Sequence, residues 1–310
     1  MLFWENKAVL VTGVNGFVGN HLFNKLNNLG ARVYGVTRNH PKKNIYKLDV
    51  LDPSSLQSFI KKNKIKICFH LAGESLVEKG QEDPYNTFKA NTEGTLNVLE
   101  SARKNNLEKI VIASSSHVYG DNKTPYLEEY FPRPSRPYET SKTCADLIAQ
   151  SYADSFDLPV LIPRFVNIYG PGDINFQRLI PKTMKSLLNN DSPKMWGGSA
   201  VRDFIYIADV IEAYISLGEL NKKLMEKNRI YNFGTGNTIS VEELIRKIIS
   251  ISEQDFSIKK NKEERENEID IQYVSSAKAH RILNWNSKTN LDKGLSQTFE
   301  WYKNYFNEKI

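Results

Sequence analysis

Short apolar runs alternate, through the first half of the chain, with longer stretches whose apolar residues recur every three to four positions. Residues 8–11, 32–36, 46–50, 65–71, 109–113 and 160–165 have the length of strands, and the first carries no charge, as suits a strand buried on both faces. Residues 16–29 set Phe17, His21, Leu22 and Leu26 on one helical face, with Gly30 as the C-terminal stop. Asp52-Pro53 and Asp83-Pro84 each read as an N-cap followed by proline at the first helical position. The second of them opens a long helix carrying Phe88, Asn91, Leu96, Leu99 and Ala102. Strands and helices alternating at this length predict an α/β fold, a doubly wound parallel sheet with right-handed crossovers.

Beyond residue 165 the alternation becomes irregular. Loops led by Gly170-Pro171-Gly172 and Trp196-Gly197-Gly198 flank a helical segment at 179–188, as expected of a smaller C-terminal lobe built at the sheet's carboxyl edge. Ser240-x-x-Glu243 is a capping box before an amphipathic helix. The mixed charge run 259–270 reads as an exposed loop, and Leu291, Leu295, Phe299, Tyr302 and Phe306 mark a last packing helix. The expected division is a dinucleotide-binding domain at 1–166 and a substrate lobe mainly at 167–310, with some segments returning to the first domain. No internal repeat is visible.

Composition restricts the setting. The chain has 310 residues, 40% hydrophobic and 25% charged, enough for a sizeable core in one large domain with a lobe or in two domains. Its net charge of +6 comes from lysines interspersed with acids along the whole length, which reads as a solvated surface, so nucleic acid is not an expected partner. The two cysteines, Cys68 and Cys144, have no paired spacing and suit a reducing compartment without disulfides or a metal site. No apolar stretch approaches the ~20 residues of a membrane span, and the N-terminus lacks the form of a signal peptide, so a cytoplasmic location is expected.

The chemistry begins where the first strand meets the first helix. Gly13, Gly16 and Gly19 suit a tight turn, a close approach of backbone to a pyrophosphate and close packing of helix on strand. The free N–H groups of the helix's first turn then face the anion, the arrangement of a Rossmann dinucleotide site. At the end of the second strand, where an NAD site places a carboxylate, the chain reads Thr37-Arg38. An arginine there suits a 2′-phosphate and favours NADP over NAD, unless Arg38 only stacks on adenine or faces water. Asp49 either accepts from the adenine amino group or caps the next segment. The small residues of Ala72-Gly73-Glu74-Ser75 leave room for the cofactor's second phosphate and ribose.

The fifth strand runs into Ser114-Ser115-Ser116-His117, and after a proline-rich loop Tyr138 and Lys142 stand four apart at the head of a helix, on one face. A phenol of pKa ~10 must fall to roughly 7 to act as a base at neutral pH, a cost of about 4 kcal/mol. A neighbouring ammonium and an oxidised nicotinamide are the charges able to supply it.

Taken in order, Thr12-Gly13-x-x-Gly16-x-x-Gly19, His70-Leu71-Ala72-Gly73, Asn91-x-x-Gly94-Thr95, Ser114-Ser115, Tyr119-Gly120, Tyr138-x-x-x-Lys142, Arg164-x-x-Asn167-x-Tyr169-Gly170-Pro171-Gly172, Arg202-Asp203-Phe204-x-Tyr206 and Asn232-Phe233-Gly234-Thr235-Gly236 span nearly the whole chain. This series resembles the extended short-chain dehydrogenase/reductases that act on nucleotide sugars, the NAD-dependent epimerase/dehydratase family. Residues 138–183 look most like its CDP-glucose 4,6-dehydratase branch. The resemblance implies Tyr138 as base at the sugar hydroxyl, Lys142 on the nicotinamide ribose and tuning Tyr138, and Ser115 bonded to the reacting hydroxyl. It assigns Asn15, Phe17, Val18, Val50, Leu71, Ala72, Gly73, Ser75, Asn91, Ala113 and Phe165 to the cofactor as well. Ser75, His117, Asn167, Arg178 and Arg202 are implied on the nucleotide sugar, with Arg202 at its diphosphate. A homodimer formed by the helices at 87–104 and 139–156 is a further implication.

One departure bears on the outcome. Where 4,6-dehydratases carry an acid followed by a glutamate or lysine, this chain has Ser116 and His117. Elimination of water across C5 and C6 needs one group to take a proton and another to give one, and Ser116 is a poor acid. The expected reaction is therefore redox chemistry at C4 without loss of water, as a 4-epimerase or 4-dehydrogenase/reductase. A dehydratase using His117 is the alternative, and His117 as a spectator stays open. A non-catalytic sensor or scaffold is the rival from another class, disfavoured because Ser115, Tyr138 and Lys142 serve only a reacting hydroxyl together.

Overall fold

The computed structural model describes residues 2–261 and 269–308. Its main sheet runs in the order Ile230–Phe233, Val160–Phe165, Lys109–Ile112, Ile67–His70, Ala8–Thr12, Arg32–Thr37, Ile45–Lys47. All neighbours in this path are parallel, and a short eighth strand, Ser114–Ser115, pairs with Arg164 and Phe165. Every residue of Ala8–Thr12 is buried, because helices cover both faces of the sheet. Chain order reverses on either side of Ala8–Thr12: the second strand lies to one side and Ile67–His70 to the other. That switch point opens a crevice at the carboxyl ends of the strands.

The first helix is Phe17–Asn28, with Leu22, Phe23 and Leu26 buried, whereas Phe17 and His21 are only partly covered. The third strand is shorter than its apolar pattern suggests. It ends at Lys47, because Asp49 turns the chain by accepting from the N–H of Leu51 on its side chain and from that of Asp52 on its carbonyl. Asp52 and Asp83 cap their helices as expected, accepting from the N–H groups of Ser55 and Asn86. The long helix after Asp83 is not uniform: Pro84–Phe88 passes through a π-helical turn, Lys89–Glu93, into Gly94–Lys104. Leu96 on its last part is exposed.

The second half contributes to both parts of the molecule. Ile230–Phe233 returns to the edge of the main sheet, and helix Ile207–Glu219 lies so close to Trp4 that a Cβ on Gly218 would stand 2.3 Å from the indole. Val201–Tyr206 centres a separate small sheet with Asn167–Tyr169, Thr238–Ser240 and Ile271–Gln272. The charge run read as a loop begins as strand instead: Lys259–Asn261 pairs in parallel with Lys194–Trp196, while 262–268 lie outside the described residues. The helices Leu179–Leu188 and Leu291–Asn307 form where the apolar spacing predicts them.

Candidate active site

Both parts border one cleft of about 1170 Å³ at the switch point. Its cofactor side is made largely of backbone. Gly13 has a left-handed φ of 69°, and a Cβ there would lie 2.7 Å from the Ala72 nitrogen. A Cβ on Gly19 would meet the Gly13 oxygen at 2.2 Å. Only glycines allow the turn, the strand and the helix to close on one another here. Gly16 caps the helix with no side chain, so the N–H groups of its first turn stay open to an anion.

Beneath this turn the Thr12 hydroxyl accepts from the N–H groups of Leu71 (3.2 Å) and Ala72 (3.1 Å) and therefore donates to His70 Nδ1 at 2.8 Å. Burial, with the nearby Lys142 charge, lowers His70 to about 3, so it stays neutral and pins two strand ends together. Arg38, Asp49, Val50, Ser75, Ala113 and Phe165 complete the lining expected for a dinucleotide. Asn15 reaches across to Thr37 and to the carbonyl of Asn39. Asn91 is placed differently from the expectation. It is buried behind the wall, where its amide donates to the Glu74 carbonyl and to Ser141, and a Cβ on Gly73 would stand 2.3 Å from its Oδ1. It shapes the loop that a ribose would touch, and the π-helical turn is what aims it there.

The groups expected to react, Ser115, Tyr138 and Lys142, gather where Ser114–Ser115 meets helix Pro137–Phe156. Below them Arg164 makes two 2.9 Å bonds to Asp146, which also accepts from Ser114, and Arg164 donates to Tyr119, whose hydroxyl reaches Asn232. This buried network holds the strand that carries Ser115 in place, which accounts for several motif residues far from any ligand. Burial raises the Tyr138 phenol above its ordinary pKa, while a hydrogen bond from Ser115 and the Arg178 guanidinium draw it down. Burial lowers Lys142 to about 8 against the pull of Glu74, and its ammonium reaches the Ala113 carbonyl at 3.3 Å. Helical spacing pointed to Lys142 as the cation beside Tyr138; the Arg178 guanidinium of the far wall is a second one that draws the phenol down. Burial leaves Tyr138 a neutral phenol in the protein alone, and a positive nicotinamide is a further charge able to lower it.

His117 lines the cleft with its ring edge-on to Tyr138, centroids 5.9 Å apart. Ser116, by contrast, is enclosed at 1% exposure and does not reach the cleft wall, so it offers no proton to a ligand. Sequence reasoning passed over Glu139, which is fully buried, faces His117 Nδ1 at 3.4 Å and binds Arg136. Its position between Tyr138 and Lys142, three residues after Arg136, was the signal available.

On the far wall, Arg178 bridges the two parts of the molecule by donating to Ser75 (2.8 Å) and to the buried Asp173 (3.0 Å). Asn167 donates to the Asp203 carbonyl, and Arg202 to the carbonyls of Val201 and Asp270, with both side chains on the cleft. Asp203 itself is buried and accepts from the N–H groups of Thr235 and Gly236.

A parallel sheet with a glycine turn at its switch point, and a serine, a tyrosine and a lysine at the mouth, define a nicotinamide-dependent oxidoreductase. The model of the NAD dependent epimerase/dehydratase family matches residues 9–234, and the chain belongs to that family. The dTDP-D-glucose 4,6-dehydratase of Mus musculus is 31% identical, covering 98% of this chain and 91% of its own. The CDP-glucose 4,6-dehydratase of Salmonella typhimurium is 27% identical over 97% of this chain and 92% of its own. The crystal structure of UDP-glucose 4-epimerase from Thermotoga maritima, solved with UDP-glucose, superposes with a TM-score of 0.90 at 25% identity, covering 96% of this chain and 99% of that one. The protein is accordingly an NAD(P)-dependent enzyme of the nucleotide-sugar epimerase and dehydratase type. Among the described residues no helix is long and apolar enough to cross a membrane.

Proposed function

We propose that the enzyme oxidises a nucleotide sugar at C4 without loss of water and either returns the hydride to the ketone, as a 4-epimerase, or releases the ketone, as a 4-dehydrogenase/reductase. A bound nicotinamide dinucleotide supplies the hydride acceptor and, when oxidised, a positive charge beside Tyr138. Ser115 orients the C4 hydroxyl, Tyr138 takes its proton as the C4–H bond breaks, and Lys142 holds the ribose. Arg202 and Arg178 suit the diphosphate, and Ser75, Asn167 and His117 the rest of the substrate. Residues 1–166 serve mainly the cofactor and 167–310 mainly the sugar.

The observation that carries the choice of outcome is the contrast between residues 116 and 117. Elimination needs two proton-transfer groups, and the enclosed Ser116 hydroxyl leaves His117 to serve alone. The experiment is the product mass after incubation with UDP-, dTDP-, CDP- and GDP-hexoses. Epimerisation leaves the mass unchanged, and a released ketone is lighter by two hydrogens. A product lighter by one water, abolished in His117→Ala, would make the enzyme a dehydratase. That second reading is favoured by the contact between His117 and Glu139.

Arg38, exposed at the adenosine end of the cleft, supports NADP over NAD. Equal affinity for the two, unaltered by Arg38→Ala, would remove that preference. The outward faces of Gly94–Lys104 and Pro137–Phe156, with Leu96, Leu147 and Phe156 exposed, suit a homodimer. A monomer in sedimentation at micromolar concentration would refute it. A cytoplasmic location fits two unpaired cysteines, and fractionation with a membrane or secreted pool would contradict it.

A further inference from the structure

Glu139 has an unusual setting for a carboxylate: no exposure to solvent, a place in the first turn of the helix that carries Tyr138, and one oxygen turned toward the cleft. Its Oε2 accepts from Ser135 N (3.2 Å), Ser135 Oγ (3.3 Å) and Arg136 N (3.3 Å). Its Oε1 accepts from Arg136 Nε (3.0 Å) and Nη2 (2.6 Å) and faces His117 Nδ1 at 3.4 Å. Burial alone would raise this carboxyl, but His117 and Arg136 outweigh it and hold the group at about 2. Ionised, it can only accept, so the proton of the facing imidazole sits on Nδ1. The ring packs against Tyr138 and the His117 backbone N–H donates to Ser115 Oγ at 3.2 Å, which holds this turn beside the site.

We infer that Glu139 is a positioning residue that fixes His117 in the Nδ1–H tautomer, leaving Nε2 as a hydrogen-bond acceptor toward the sugar beside Ser115 and Tyr138. This rests on reading the cleft as a sugar site. In that tautomer the Nε2 lone pair accepts a hydrogen bond from a sugar hydroxyl while Tyr138 takes the C4 hydroxyl proton, and the Nδ1–H stays on Glu139, so His117 orients the sugar without changing its own charge. His70 provides a contrast within the same molecule. Thr12 donates to its Nδ1, so its proton sits on Nε2, buried without a partner and unfit for exchange with a ligand.

The test is nitrogen-15 NMR of the full-length protein labelled at histidine, with the His117 and His70 signals assigned through His117→Gln and His70→Gln. Neutral His117 should carry its proton on Nδ1 and neutral His70 on Nε2. Glu139→Gln should abolish the fixed His117 tautomer and lower kcat by about 10²-fold with little change in KM, whereas a purely structural role would leave the tautomer alone. Glu139→Asp should restore part of both. Wild-type His117 found with its proton on Nε2 would overturn the inference, as would an unchanged kcat in a folded Glu139→Gln. If that variant fails to fold, the wild-type spectrum alone decides. The tautomer is read without turnover, so a wrong assignment of product would not imitate its failure.

Discussion

The two walls of the cleft are built from different materials. On the cofactor side Gly13, Gly16 and Gly19 bring backbone within reach of a ligand, and contacts such as 2.2 Å from a hypothetical Gly19 Cβ to the Gly13 oxygen leave no slack. The wall proposed for the sugar is made of side chains, Ser115, His117, Tyr138, Arg178 and Arg202, drawn from several elements and held by polar partners. A wall of backbone fits a ligand part common to many reactions. A wall of side chains can be re-aimed without disturbing the sheet.

The sharpest way to separate the walls is Tyr138→Phe. Removing the proton acceptor should reduce kcat by about 10²–10⁴-fold while calorimetric cofactor affinity stays near wild type. Retained turnover would show that the side-chain wall does not hold the base. Gly19→Ala tests the other wall, because its methyl group meets backbone and not a flexible side-chain end. It should destabilise the protein by about 1–3 kcal/mol in urea unfolding and weaken dinucleotide binding, with any residual turnover keeping the wild-type product. Arg178→Ala should be milder, about tenfold in kcat/KM. Because Arg178 draws the Tyr138 pKa down, its loss should also move the alkaline-going rise of kcat to higher pH; a rise at unchanged pH would free Tyr138 of Arg178's influence.

The smallest effect is in stability against pH. Burial lowers Lys142 and Lys109 to about 8 from 10.5. Between those values the unfolded chain binds more protons than the folded one, so stability should rise with pH through this window, until the buried tyrosines oppose it near pH 10. Lys109 lies away from the cleft, where its ammonium donates to the carbonyls of Gly218 and Leu220. Lys142→Met should therefore remove only part of the rise in melting temperature, and a flat profile from pH 8 to 10 in wild type would contradict both placements.

The same division governs what the sequence reveals. The backbone wall is written locally, as glycines at fixed offsets between a buried strand and an amphipathic helix, so Ala8–Thr12 and Phe17–Asn28 fall where the pattern sets them. The side-chain wall depends on meetings that no local period encodes: Arg178 finds Ser75 across 103 positions, and His117 finds Glu139 across 22. Ser116 and Asn91 show the same limit from the other direction. The family resemblance places them in the site, yet a tight turn faces one inward and a π-helical turn sets the other behind the wall.

That π-helical turn, Lys89–Glu93, has an evolutionary corollary. A π turn holds one residue more than the α-helix around it, so a single-codon deletion within it could be absorbed as regular helix with both ends still formed. Each residue of an α-helix advances about 100° around its axis, so the two halves of the helix would then be rotated against each other by that amount. Asn91 could not keep both Ser141 and the Glu74 carbonyl through such a rotation. The same rotation would turn the buried face of Gly94–Lys104, with Val98, Leu99 and Ala102, away from the core, so the length of this helix, as much as any residue in it, constrains the chain.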